Sequence, residues 1–157
     1  MLIRAYSRGD AAAITRLFYE TVRSVNSKDY SEHQVRAWAP AAADPEIWHS
    51  RMIQRCTLVA EENGEVLAFA ELERNGHLDM LYCRKDVIGQ GIGRLLYKEV
   101  GAEAIRLGLD RIFAEASITA RAFFKRRGFS VVGEQTVSRG GIELSNFRME
   151  KQLRTKV

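Results

Sequence analysis

Apolar positions change their period twice along this chain, and the changes divide it into three parts. Leu2 to Tyr6 alternates loosely and reads as a strand. Arg8-Gly9-Asp10 offers a turn and an N-cap, and Ile14, Leu17, Phe18 and Val22 follow at helical spacing. Asn26 to Tyr30 interrupts that helix. A second one starts with Ser31 as cap, carries Glu32 and Gln34 in its first turn, and ends near Pro40. Asp44-Pro45 is a further start signal, with proline at the first helical position, and leads into Ile47, Trp48 and Met52.

The period then falls to two. Thr57 to Glu62, Val66 to Glu73 and His77 to Arg84 read as strands separated by Asn63-Gly64 and Asn75-Gly76, the strongest short-range hairpin signals. This predicts an antiparallel meander. Helical spacing returns from Gly91 to Leu107, where Ile92, Leu95, Leu96, Val100 and Ala104 share a face and Gly108 supplies the stop. Arg111 to Ala116 is a strand and Thr119 to Arg127 a short helix stopped by Gly128. Phe129 to Val137 and Glu143 to Glu150 close the chain as a strand pair around Gly140-Gly141. No repeat, linker or low-complexity stretch interrupts this order, which predicts one α/β (α+β) domain over residues 1–157.

A chain of 157 residues with 46% hydrophobic content can bury one substantial core. Met1 to Tyr6 has no sustained apolar stretch of the kind a secretory signal needs, and no run reaches membrane-spanning length. Cys56 and Cys83 form no CxxC and stand apart from the histidines, which argues against a disulfide framework and a zinc site and predicts a cytoplasmic protein without metal. A net charge of +4 admits nucleic acid as a partner, but the charges are scattered. The basic clusters are Lys125-Arg126-Arg127 and a short tail from Lys151 to Lys156, and a basic rim around an anionic ligand accounts for them equally well.

The chemistry-bearing segment runs from Leu81 to Arg94, where a strand enters a loop holding Gly89, Gly91 and Gly93 and a helix follows at once. Such a loop brings backbone close to a ligand, and the helix N-terminus presents free N–H groups suited to phosphate. Register excludes two phosphate motifs. The dinucleotide fingerprint would need glycine where Arg94 stands, and a Walker loop would need Gly-Lys-Ser/Thr where the chain has Gly93-Arg94-Leu95.

The strand, glycine loop and helix resemble the acetyl-CoA-binding motif of GNAT acetyltransferases, often Gln/Arg-x-x-Gly-x-Gly/Ala. Gly91 and Gly93 match its small positions, and Ile88 departs from it at the Gln/Arg position. A second block, Asn-x-x-Ala-x-x-Phe-Tyr-x-x-x-Gly-Phe in many members, is matched by Ala120, Phe123, Gly128 and Phe129, with Ser117 in place of Asn and Phe124 in place of Tyr. More narrowly the chain is similar to the YafP-like group, through Tyr30-Ser31, Ala37-Trp38-Ala39, Asp79-Met80-Leu81, Ala116 to Ala120 and Asn146 to Met149.

The resemblance implies the GNAT fold, with a mixed central sheet of about seven strands and flanking helices. It also implies direct transfer of acetyl from acetyl-CoA to an amine in a ternary complex. Backbone at Leu81, Tyr82 and Cys83 would pair with the pantetheine arm. Ile88, Gly89, Gln90, Gly91, Ile92, Gly93 and Arg94 would hold the pyrophosphate, with Ser117 and Phe124 also on the cofactor. Phe124 has no proton to give the departing thiolate, and Tyr82 and Ser117 are the nearest substitutes, although strand packing and a helix cap are their ordinary roles. His77 and Asp79, on one strand face, are rival bases, with Glu71 a third. Cys83 is read as a small buried hydrophobe rather than a nucleophile. Tyr30, Trp38 and Trp48 could line an acceptor pocket; His33 and His49 are surface residues.

The acceptor, a small molecule or a protein amine, is left open, and a homodimer is admitted. The alternatives are a non-catalytic CoA or acyl-CoA sensor, motivated by the missing tyrosine, a transferase using another acyl donor, and a nucleic-acid-binding domain, which leaves the glycine loop unexplained. Membrane association is not expected.

Overall fold

Asn63 and Gly64 both take positive φ (53° and 78°), and this two-residue turn joins strands β2 (Cys56–Glu62) and β3 (Glu65–Leu72) in a tight antiparallel hairpin. The computed structural model describes residues 1–41 and 43–153, so the end of the basic tail, from residue 154, lies outside the described residues. On one edge of the hairpin lies β1 (Leu2–Ala5), and on the other β4 (Leu78–Cys83), giving a sheet of order β1-β2-β3-β4. The predicted meander is present.

The helical part near the start resolves into α1 (Ala11–Ser24), α2 (Glu32–Trp38) and α3 (Pro45–Met52). Ser31 and Gln34 form a reciprocal capping box on α2, and the Asp44 side chain accepts from Glu46 N–H at the start of α3. Asp10 precedes α1 as predicted, but its side chain does not cap α1; it accepts from Ser7 N–H at 2.9 Å and takes a two-pronged Arg4 contact, at 2.8 Å on each oxygen. After β4 come α4 (Ile92–Arg106), β5 (Arg111–Ser117), α5 (Arg121–Arg126), β6 (Ser130–Arg139) and β7 (Ile142–Gln152). The last hairpin reaches further into its turn than the apolar alternation suggests, because its ladder carries polar pairs such as Ser138↔Glu143.

Two cores lie on opposite faces of the sheet. Phe69 joins Ile14, Leu17, Phe18 and Val22 of α1 and Trp48 and Met52 of α3, while Ala68, Ala70 and Leu72 pack with α4. Alternation along a strand makes this two-sided burial. On α4, Tyr97 is buried where Leu95 was expected, and Leu95 is largely exposed. No helix among the described residues is long and apolar enough to cross a membrane.

The seven strands do not form one continuous sheet as expected. β5, β7 and β6 make a second sheet of that order, and β4 and β5 touch through one parallel bridge, His77↔Phe113. Beyond it β5 pairs only with β7, from Arg111↔Gln152 to Ser117↔Asn146, and β4 pairs only with β3. Two facing strand edges are therefore left apart, and the site is built between them.

Candidate active site

Arg84 N–H donates across to Leu67 on β3 at 2.8 Å. Donors alternate sides along an antiparallel strand, so the Leu81 and Cys83 N–H groups face the open edge of β4. The Cys83 carbonyl on that edge accepts from the Thr21 hydroxyl of α1 at 2.8 Å. Below this edge the chain enters the glycine loop. Gly89 and Gly91 have φ of 82° and 84°, and Gly91 in the left-handed region is the N-cap of α4, a position a larger residue would occupy only with strain. Among the described residues, no backbone acceptor engages the N–H groups from Ile88 to Arg94. Apart from Gly93 N–H, which meets the Cys83 thiol, they form a row of donors at a helix N-terminus.

This row borders a cleft of about 480 Å³ that runs between the two sheets. Leu81, Tyr82, Cys83, Ile88, Gly89, Gly91, Ile92, Gly93, Arg94, Ser117 and Phe124 all line it; Gln90 is exposed and outside the lining. Arg126 and Arg127 join Arg94 there, so the basic cluster of the sequence borders the same cleft. Arg127 sits over the Phe123 ring, 4.8 Å from its centroid. Phe124 is buried edge-on between Phe123 and Phe129, at 5.4 and 5.0 Å. Burial pushes the Cys83 thiol up to about 11, only partly offset by a hydrogen bond from Gly93 N–H, which makes it a poor nucleophile.

A second cavity of about 300 Å³ opens on the other side. Trp38, Asp79, Tyr82, Glu115 and Ser117 line both spaces, so the slot between β4 and β5 connects them. Tyr30 lines the second one, stacked edge-on against Trp38 at 5.4 Å. Its hydroxyl donates to the Ser145 carbonyl (2.7 Å) and accepts from Ile118 N–H (2.9 Å), which ties the segment before α2 to both β7 and the end of β5. Trp48 is a core residue instead, packed on Phe18 and Phe69.

The predicted bases fall in one charged network. Arg55 pairs with Asp79 (2.6 Å), Glu73 (3.1 Å) and, more distantly, Glu71 (3.9 Å). Glu71 is fully buried and gripped by Arg51 at 3.1 and 2.9 Å, away from both cavities; burial raises its carboxyl, and Arg51 offsets part of that. Glu73, His77 and Asp79 bring ligand atoms within 4.8 Å of one another, and Arg55 supplies the positive charge among them. His77 stacks on Phe113 and contacts Glu115 through Nε2 (2.5 Å) and Glu73 through Nδ1 (3.0 Å). Burial works against its charge, but hydrogen bonds to Glu115 and Glu73 outweigh it and hold the imidazolium above the usual histidine range.

That arrangement revises the expectation of a near-neutral imidazole base, because neither ring nitrogen of His77 is left for a substrate proton. Asp79 reaches the slot, but as the partner of Arg55. Glu115 was not anticipated: on the alternating strand of Ile112, Ala114 and Ala116 it reads as a solvent position, and only the separation of β5 from β4 turns it into the slot. Burial raises the Tyr82 phenol well above its ordinary value, so it keeps its proton, with a Trp38 side-chain hydrogen bond working the other way. The Ser117 hydroxyl oxygen accepts from Ala120 N–H at 3.0 Å, a turn-capping role.

Comparison with known proteins agrees with this geometry. Residues 26–152 match the acetyltransferase (GNAT) domain family. The N-acetyltransferase YafP of Escherichia coli strain K12 is 32% identical over 148 residues, 94% of this chain and 93% of that protein. A GCN5-related N-acetyltransferase structure from Rhodopseudomonas palustris is 34% identical, covers 96% of this chain and 94% of its own, and superposes with a TM-score of 0.91. The structure of yncA from Salmonella typhimurium, solved with its cofactor acetyl-CoA, shares the fold at 23% identity and a TM-score of 0.76, covering 100% of this chain and 96% of its own.

Proposed function

The chain belongs to the GNAT acetyltransferase family, and from that premise and the two connected cavities we propose that it transfers acetyl from acetyl-CoA directly to an amine within a ternary complex. The observation that carries this reading is the set of residues shared by the two cavities, Asp79, Tyr82, Glu115 and Ser117 among them, where a ligand in each would meet. The larger cleft takes the donor: free N–H groups of the glycine loop with Arg94, Arg126 and Arg127 hold its phosphates, and the open edge of β4 pairs with its pantetheine arm. With that many backbone donors, Ile88 in place of a polar side chain costs the site little. The smaller cavity takes the amine.

In the reaction the neutral amine nitrogen attacks the thioester carbonyl carbon, the carbon–sulfur bond breaks, and CoA departs as thiolate. Glu115 accepts the proton that the bound ammonium gives up, directly or through one water, to become the attacking amine, and the second nitrogen proton leaves to solvent as the tetrahedral adduct collapses to the amide. His77 is a positioning residue that holds the Glu115 carboxylate, and Asp79, held by Arg55, attracts the ammonium. A Leu81 or Cys83 N–H on the open edge polarises the carbonyl. Tyr82, which keeps its proton through the working range, replaces the acid absent at Phe124. Two half-buried cysteines, Cys56 and Cys83, without a disulfide suit a reducing cytoplasm.

Acetyl-CoA at a hundredfold excess over Kd is expected to stabilise the protein by roughly 2.7 kcal/mol, a rise in Tm of about 5–10 °C for this length, while NADH and ATP do much less. No rise at millimolar acetyl-CoA removes the donor assignment. A rise without CoA release on any amine favours the sensor reading instead. Tyr82→Phe is expected to lower kcat by about 10-fold or more with the KM for acetyl-CoA little changed; an unchanged kcat removes Tyr82 as the acid.

A further inference from the structure

The second cavity carries opposite charges at its two ends. Asp79 and Glu115 stand at the slot, each with a cationic partner already in the protein, Arg55 and His77. Along β6, Gln135, Val137 and Arg139 share the face that lines the cavity. Gln135 is in register with Asn146 on β7, which is in register with Ser117 beside the slot. Arg139 lies four residues further, roughly 13 Å along the strand, and lines the same cavity as Tyr82.

Arg139 is the arginine that lines this cavity. Arg51, Arg55, Arg84 and Arg111 are paired with carboxylates, whereas among the described residues no hydrogen bond or ion pair engages Arg139. At the other end, the buried Asn146 Oδ1 has no donor among the described residues, and its residue lines the same cavity. An unpaired cation and an unfilled acceptor, separated along one wall, describe a ligand with an anionic group at one end and an N–H donor at the other. Resting on the assignment of this cavity to the acceptor, we infer that the acceptor is a primary amine carrying a carboxylate-type anion several bonds from its nitrogen, and that Arg139 selects it. The ammonium lies against Asp79, Glu115 and Asn146 Oδ1, and the anion pairs with Arg139. A diamine would set its second cation against Arg139, and a simple alkylamine would leave Arg139 without a partner.

The test compares γ-aminobutyrate and ε-aminocaproate with butylamine and putrescine, reading CoA thiol release at saturating acetyl-CoA. The amino acids are expected to exceed the other two in kcat/KM by about 10- to 100-fold, the range of one charged hydrogen-bonded pair. Arg139→Ala should raise the KM for the amino acids by that factor with kcat little changed and leave butylamine unaffected. Arg139→Lys should restore part of the preference, and Arg139→Glu should move it toward putrescine. Equal or better use of butylamine or putrescine by the unaltered protein, or an Arg139→Ala effect equal on all four amines, overturns the inference. Calorimetry on the CoA-loaded protein gives a readout without turnover. Amino-acid binding that Arg139→Ala abolishes supports the inference, and a protein that binds CoA but none of the amino acids overturns it. Failure to bind acetyl-CoA at all overturns the donor assignment beneath it.

Discussion

Glu115→Gln is expected to lower kcat by about 10²- to 10³-fold while the rise in Tm with acetyl-CoA survives. Glutamine keeps the shape of the side chain and its hydrogen bond to His77 but cannot take the ammonium proton. Glu115 lies on β5 and is not part of the glycine loop, so cofactor affinity should change little. The substitution also has a pH signature. In the folded protein burial opposes the His77 charge, and Glu115 with Glu73 more than reverses this, so its folded pKa lies above its unfolded one. The stability from that charge is complete below the unfolded value, near 6.5, and is lost as pH rises through the folded value. The difference in Tm between the unaltered protein and Glu115→Gln should therefore be widest at about pH 5 to 6.5 and narrow above it. CoA release against pH, with melting curves at the same values, checks both parts. A kcat within twofold of the unaltered protein would return the base role to Asp79.

The pairing of each element with its period made most of the fold legible. Asn63-Gly64, the Ser31 cap and the Asp44-Pro45 start each act within a few residues, so sequence suffices to read them. The glycine loop of the larger cleft was legible for the same reason: Gly89 to Arg94 is one continuous segment whose backbone N–H groups line up at a helix start. The reacting slot was not, because it is assembled by a separation of strands. Glu115 alternates with Ala114 and Ala116 as any solvent-facing residue would, and Arg139 ends a polar hairpin. Nothing local tells either that the facing sheet edge is open. His77 was legible as chemically important, but its state depends on Glu115, which lies 38 positions later.

Gly76 stands beside the bridge where the two sheets meet, and Gly76→Ala is expected to destabilise the protein by about 3 kcal/mol or more. Gly76 has φ 98°, which strains any side chain, and a methyl group there would collide with the Arg111 carbonyl oxygen. The oxygen cannot easily retreat, because Arg111 is the first of a continuous ladder between β5 and β7. The Gly76 carbonyl also accepts from Phe113 N–H at 3.0 Å, next to the single bridge that joins the two sheets. Relief of the collision must move β4 away from β5, which pulls His77 from Glu115 and widens the slot. Gly64 is the matched control: its φ of 78° imposes similar backbone strain, but nothing lies within 4 Å of an added methyl. Gly64→Ala should therefore cost only the strain, about 1 kcal/mol, or roughly 2–4 °C in Tm, with kcat unchanged. Gly76→Ala should lower Tm by roughly 6–12 °C and lower kcat as well. Equal melting temperatures and equal rates for the two variants would mean that the sheets are held at their angle by the packing of α4 and α1 and not by the turn.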